Sequence, residues 1–391
     1  MKTFLCILMV SLNGALFAQN DIETILASID KNNITLKALR EEAEAQKLAN
    51  KTGIFLANPE AEFNYLWGSP DVIGNRTDVS IKQTFDIPTI TGMKSRISNK
   101  QNRLVELRYK ADRINILLQA KQCCMDLIYY DALKKQQTTR LRYAETIAGG
   151  YKKKLTQGDI SLPEYNKALL NLSSVQGELS RIDVEQNAVL YELKQLNGGV
   201  ELIPDDYRYE DTPLPTNFAD WYASAEQKNP VLEYVRLEVE VSKNQISLNQ
   251  AMGLPSFSAG YTSEKVVGEH FQGITLGISI PLWENKNRVK QAKAASIAAA
   301  TRQENSRQQF YHRLQNLYEQ TQRLKSIADN YKASLTALDS TDLFTKALDA
   351  GEISVLEYVV EMGLYYDMVK QALEAERNYR KAQAELEAVE L

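Results

Sequence analysis

One feature limits the possible folds more than any other: the chain is written twice. Residues 151–165 read YKKKLTQGDISLPEY, and residues 344–358 read FTKALDAGEISVLEY. Gly158, Ile160, Ser161, Glu164 and Tyr165 return as Gly351, Ile353, Ser354, Glu357 and Tyr358, each 193 residues later. Upstream, Phe85-Asp86-Ile87-Pro88 is answered by Ile278-Ser279-Ile280-Pro281 at the same offset. Earlier marks drift slightly: Lys31-Asn32 answers to Lys228-Asn229, and Pro59 to Pro255, as small insertions near the start of each copy would require. Self-similarity at a fixed period means one structural unit used more than once. The expected division is a signal peptide over 1–18, a first repeat over 19–199, a linker over 200–216 and a second repeat over 217–391.

Both copies read alike. A short amphipathic helix (Ile22 to Ile29, Phe218 to Gln227) is followed by a longer one, about 34–56 and 231–251. Pro59 or Pro255 ends it, two strand-like segments follow, and Pro88 or Pro281 closes the strand region. Then comes a very long helical pattern. Gly92 to Leu155 contains no proline, and at 1.5 Å per residue it would span roughly 95 Å. The return helix keeps apolar spacing of three and four through Tyr165, Ala168, Leu172, Val175, Leu179, Ile182, Gln186, Val189, Leu193 and Leu196, a heptad seam. Shifted by the repeat, the seam passes through Tyr358, Glu361, Tyr365, Met368, Ala372, Ala375, Tyr379, Ala382, Leu386 and Val389. Gly158 and Gly351 suit left-handed helix ends. Ser161-x-x-Glu164 and Ser354-x-x-Glu357 are capping boxes that restart a helix, with Pro163 in the first turn. Two tight helical hairpins follow.

The strands are expected at about 61–68, 77–86, 256–264 and 272–280. Each alternates. Ala61, Phe63, Tyr65 and Trp67 oppose Glu62, Asn64 and Leu66; Val79, Ile81 and Phe85 oppose Asp78, Ser80, Lys82, Thr84 and Asp86. Phe257, Ala259 and Tyr261 oppose Ser256, Ser258, Gly260, Thr262 and Glu264; Ile274, Leu276, Ile278 and Ile280 oppose Gly273, Thr275, Gly277 and Ser279. Segments of this length with one apolar and one polar face fit tilted transmembrane strands, with Trp67, Tyr65 and Trp283 as interfacial girdles. They also fit two half-buried hairpins on a soluble core. Four strands cannot close a barrel, which takes at least eight, so a barrel needs several chains.

Lys2, the apolar run Phe4 to Leu12 and the small-residue exit Gly14 to Ala18 make a secretory signal, with no lipid anchor expected at Cys6. No later stretch is apolar for 18 residues, the length of a membrane-spanning helix. Composition narrows the functions. The 10 prolines and 18 glycines of 391 residues are few, which favours long helices, and the net charge of -4 gives no basic footprint for nucleic acid. Two histidines, no nucleophile–base pattern and no phosphate loop argue against an enzyme, a cofactor or a metal site. The vicinal Cys123 and Cys124 read as small packing residues, since neighbours in a helix diverge.

Taken together, Asn58-Pro59-Glu60 before the first hairpin, Gln83-Thr84-Phe85-Asp86-Ile87-Pro88 leaving it, Gly277-Ile278-Ser279-Ile280-Pro281-Leu282-Trp283 leaving the second, both glycine tips and the duplication resemble the TolC-type outer-membrane efflux channel family. The resemblance implies a mainly α fold with a small β part, assembled as a homotrimer. One 12-stranded β-barrel in outer-membrane lipid would continue as a periplasmic α-helical barrel. It also implies a periplasmic adaptor (membrane fusion protein) and an inner-membrane pump of resistance-nodulation-division or ABC type. The adaptor-contact positions would be Leu155, Thr156, Gln157, Gly158, Asp159 and Ile160, with Leu348, Asp349, Ala350, Gly351, Glu352 and Ile353. An acidic constriction of the periplasmic entrance would fall at Glu357 and Glu361, although the acidic spacing departs from the family's usual pair. The chain ends at Leu391 directly after its last helix, so a C-terminal addition is not expected. The competing reading is an exported coiled-coil structural or adhesive protein without a pore.

Overall fold

The computed structural model describes residues 21–85, 88–202, 208–209, 212–337 and 341–391. The signal peptide, Asp86 and part of the linker lie outside them. The first copy gives α1 (Asp21–Asn32), α2 (Ile34–Ala49), β1 (Glu60–Leu66), β2 (Arg76–Phe85), α3 (Pro88–Gln157) and α4 (Leu162–Leu196). The second gives α5 (Phe218–Lys228), α6 (Pro230–Ala251), β3 (Ser256–Val266), β4 (Glu269–Ser279), α7 (Arg288–Ala337), α8 (Thr341–Asp349) and α9 (Val355–Leu386). Helix, helix, strand, strand and long helix therefore recur in the same order.

Two boundaries differ from the expectation. The helix expected over 34–56 stops at Ala49. Beyond it Lys51 and Thr52 make tighter bonds to Leu48 and Ala49, and the Thr52 hydroxyl takes the Ala49 carbonyl at 2.7 Å. Asn, Thr and Gly offer the backbone such local alternatives, and Gly53 then turns at φ 71°. In the second copy the long pattern is carried by α7 and α8, and residues 338–340 between them lie outside the described residues.

Two compact units share the two copies between them. One comprises Met1–Ile34, Ile116–Pro213 and Thr321–Glu385. Its α4 seam buries Ala168, Val175, Ile182 and Leu193, as the heptad spacing predicts. Full burial of a Val, Ile or Leu side chain is worth about 1.5–3 kcal/mol. Where α4 ends, Gly198 turns at φ 66° and Asn197 accepts from Ser28 at 3.0 Å and Asn32 at 3.2 Å. A Cβ on Gly198 would stand 2.3 Å from the Asn32 carbonyl oxygen, so only glycine lets the chain after α4 lie this close to α1.

The other unit comprises Thr35–Asn115, Leu214–Gln320 and Leu386–Leu391 and holds the sheet. The strands run in the order β1-β2-β3-β4, each antiparallel to the next, and the β2–β3 pair joins one copy to the other. Register sorts the faces. One carries the cross-strand rows Ala61-Ile81-Tyr261-Ile274 and Phe85-Phe257-Ile278, with Phe63, Val79 and Leu276. The opposite face carries Glu62-Ser80-Thr262-Gly273 and Glu60-Lys82-Gly260-Thr275. The expected alternation is therefore present. Helices α3 and α6 pack in the same unit through Ile90, Ile97, Leu248 and Ala251.

Candidate functional site: two matched helical tips

The same local chemistry builds both tips. At the first, the Gly158 N–H donates to Leu155 at 3.1 Å and the Asp159 N–H to Lys154 at 2.9 Å. At the second, Gly351 donates to Leu348 at 3.1 Å and Glu352 to Ala347 at 2.9 Å. This nested pair of bonds is the Schellman ending, which satisfies orphan carbonyls of the last turn. It needs a left-handed residue, and φ is 80° at Gly158 and 74° at Gly351. An L side chain would be strained there even though the surrounding space is open.

The return helices restart through their carboxylates. The Ser161 N–H and hydroxyl both donate to Glu164 Oε2 at 2.8 Å. The Ser354 N–H donates to Glu357 Oε2 at 2.7 Å, and the Glu357 N–H donates back to Ser354 Oγ at 3.2 Å. Both glutamates are held below the ordinary carboxylate range, first by the serine backbone N–H and then by the serine hydroxyl.

Exposure agrees position by position. Thr156, Gln157, Gly158 and Asp159 are exposed between half-buried Leu155 and Ile160; Asp349, Ala350, Gly351 and Glu352 are exposed between half-buried Leu348 and Ile353. Behind the tips, Ala148, Ala168 and Val355 form a core with Ile147, Tyr151, Leu172, Leu348 and Val359 packed on it, so α3, α4, α8 and α9 meet in one cluster. The twelve proposed contact positions thus stand at two neighbouring helix ends and in the turns that follow them. Glu357 and Glu361 are both exposed one turn apart on α9.

A second group had no sequence signal. Arg140, Tyr143, Asn171, Tyr358, Met362 and Tyr366 line a small cavity behind the tips. The Arg140 guanidinium lies 5.0 Å from the centre of the Tyr366 ring, and burial pushes the Tyr366 hydroxyl up to about 12. Only Tyr358 was marked by the repeat. Arg140 sits on α3 with nothing nearby in sequence to distinguish it from other surface arginines.

Other chemistry finds little material. Among the described residues no cluster of three His, Cys, Asp or Glu side chains is placed to hold a metal ion. Cys123 and Cys124 are free and buried, and burial pushes both thiols up to about 12, far from the reactive thiolate. Among the described residues no helix is long and apolar enough to cross a membrane.

Residues 221–389 match the model of the outer membrane efflux protein family. No curated protein sequence matches the chain. Solved structures do. The Campylobacter jejuni CmeC outer membrane channel aligns with TM-score 0.79 at 15% identity, covering 94% of this chain and 85% of its own. The Vibrio cholerae outer membrane protein VceC gives 0.74 at 13%, covering 94% and 95%. The open-state Neisseria gonorrhoeae MtrE outer membrane channel gives 0.74 at 12%, covering 94% and 88%. The family model is thus matched across most of the second copy, and the fold of solved outer membrane channels is matched along nearly the whole chain.

Proposed function

We propose that this chain is the outer-membrane exit duct of a tripartite efflux or secretion system and acts as a homotrimer. The observation that carries this is the sheet. It has four strands, and β1 and β4 each keep one edge unpaired among the described residues. It leaves Phe63, Ile81, Phe257, Ile274, Leu276 and Ile278 exposed on one face. Unpaired edges and an apolar face of this kind do not persist in water. Three copies joined edge to edge would make a closed barrel of about 12 strands, apolar face to lipid and polar face to a wet lumen. Exposed stripes on the helices fit the same assembly: Leu170, Val184 and Tyr191 on α4, and Leu356, Val360 and Leu364 on α9. These recur at helical spacing and would be covered by a second copy.

In this reading the duct is passive. Substrate would be delivered by an inner-membrane pump of resistance-nodulation-division or ABC type and would leave by diffusion. The matched tips would meet the periplasmic adaptor, and their exposed backbone turns offer it the same surface twice. Glu357 and Glu361 would narrow the periplasmic entrance as a ring of like charges favouring cations. No covalent step is needed, in keeping with a family of channels.

The test is extraction of the full-length protein from membranes. Release only by detergent, as a particle with the mass of three chains, together with conductance in planar bilayers, is the expected result. Release by salt or alkali alone as a non-conducting coiled coil would overturn it.

A further inference from the structure

One end of the sheet is marked by an apolar collar followed by cations. The row Phe85-Phe257-Ile278 closes the apolar face at this end. Immediately beyond it Leu254, Ile280, Leu282 and Trp283 are exposed, Trp283 at 80%. The chain then turns into α7 through a braced loop. The Lys286 N–H donates to Trp283 at 3.1 Å, the Arg288 N–H to Asn285 at 3.2 Å, and the Asn285 side chain donates to the Met252 carbonyl. Trp283 and Lys286 thereby share one short hydrogen-bonded turn at the end of the collar.

The charge beyond the collar is one-sided. Residues 284–293 hold Lys286, Arg288, Lys290 and Lys293 against Glu284 alone. Glu284 stands 3.9 Å from Arg288. Lys286, Lys290 and Lys293 are exposed and make no ion pair with a described residue. On α7 the inward face is set by Ala292 and by Ser296, whose hydroxyl meets that of Ser242 at 3.0 Å, so Lys290 stands on the outward side and Lys293 on the exposed flank. At the opposite end of the sheet Arg76 is paired, meeting Asp78 at 2.8 Å and Glu264 at 3.2 Å, and Lys265 is exposed. Lys286, Lys290 and Lys293 therefore form a cluster of cations beside this rim, where the opposite end has Lys265.

We propose that Trp283 with Lys286, Lys290 and Lys293 forms a binding site for the headgroup of an anionic phospholipid in the leaflet that meets this end of the sheet. A tryptophan at an apolar–aqueous boundary anchors at headgroup depth. Basic residues just outside it attract anionic headgroups within a Debye length, and the attraction weakens as salt rises. The site rests on the reading that the sheet lies in a bilayer.

The experiment uses full-length protein reconstituted in phosphatidylcholine vesicles doped with either brominated phosphatidylglycerol or brominated phosphatidylcholine. The Trp283 signal is taken as the difference between wild type and Trp283→Phe. Quenching should be at least about threefold stronger with the anionic lipid at low salt. The preference should vanish in the Lys286→Gln/Lys290→Gln/Lys293→Gln variant and at high salt, and survive in the corresponding triple arginine variant. Equal quenching by both lipids would overturn the headgroup site while leaving the bilayer reading standing. No quenching by either would overturn both. A preference retained by the glutamine variant, or a glutamine variant that changes oligomer mass while losing it, would also overturn the proposal, the latter by assigning the lysines to contacts between copies.

Discussion

Leu162 and Val355 hold the same place in the two tips, immediately after the capping serine, yet Leu162 is 58% exposed and Val355 4%. The difference continues along the helices. Helix α4 buries Ala168 and Val175, whereas α9 buries Val355, Tyr358, Met362 and Val369. Near the tip the buried stripe of α9 is displaced by one position, Met362 and Val369 answering Ala168 and Val175, roughly 100° around the helix axis; farther along, Ala375 and Leu386 answer Ile182 and Leu193 at the unshifted offset. The caps are alike because they depend on a few backbone bonds. The face turned to the core is not, because it depends on what each helix packs against. Local chemistry fixes where a helix stops and restarts; tertiary packing fixes how it is rotated.

That comparison can be broken experimentally. The largest effect is expected from Tyr358→Ala, which empties a buried site beside Arg140 and Tyr366 and should cost about 3 kcal/mol. Its counterpart Tyr165→Ala, at a half-buried position, should cost about 1 kcal/mol. Denaturant unfolding of the extracted protein measures both, and equal losses would mean the two tips are packed alike after all. Next come Gly158→Val and Gly351→Val. Each forces a β-branched residue into positive φ, at about 1–2 kcal/mol of local strain, and each should abolish export while assembled protein stays in the membrane. Full export from either variant would remove that tip from the adaptor contact.

A smaller effect concerns the capping glutamates and should be equal at the two tips. Glu164 and Glu357 have carboxyl groups held below their ordinary range. Their stabilisation is complete above the unfolded-state value and is lost as pH falls through the lower folded value. Amide exchange of the first turns of α4 and α9 should therefore speed up together under acid. It should become insensitive to acid in the Glu164→Gln/Glu357→Gln variant. Faster exchange at only one tip would show that the caps are not equivalent. The smallest expected change is electrical: Glu357→Ala with Glu361→Ala should weaken cation block of single channels in planar bilayers. An unchanged block would leave Glu357 with its capping role alone.

Much of this was legible in the sequence because it is local or periodic. Glycine at a left-handed turn, a serine three residues before a glutamate, and alternation along a strand carry their own signals, and the tips and sheet faces follow from them. The seam of α9 was legible at Tyr358, Ala375, Tyr379, Ala382 and Leu386, which are buried as expected, but not between them. Carrying the α4 pattern across by the repeat offset put Glu361 in the seam, whereas Glu361 is exposed and Met362 takes the buried place. Sequence equivalence does not transmit helix rotation. Arg140 over Tyr366 was invisible for a related reason: it joins α3 to α9 across more than 200 residues of chain, and neither residue stands in a motif. The early end of α2 could have been read from the Asn50-Lys51-Thr52-Gly53 run, which weakens a helix before Pro59 is reached.

The pairing of β2 with β3 imposes an order on biogenesis. Arg76 is paired with Val266 and Phe85 with Phe257, so each bond of that ladder joins residues separated by well over 150 positions. The first hairpin cannot acquire its neighbour until the second copy has been made. Until then an edge of β2 and the apolar face carrying Phe63, Val79 and Ile81 stay without that partner strand. Such non-local closure is slow, and exposed strands of this kind aggregate. A molecule arranged this way is most vulnerable before its sheet is complete, and its yield should depend on whatever shields that hairpin while the second half of the chain arrives.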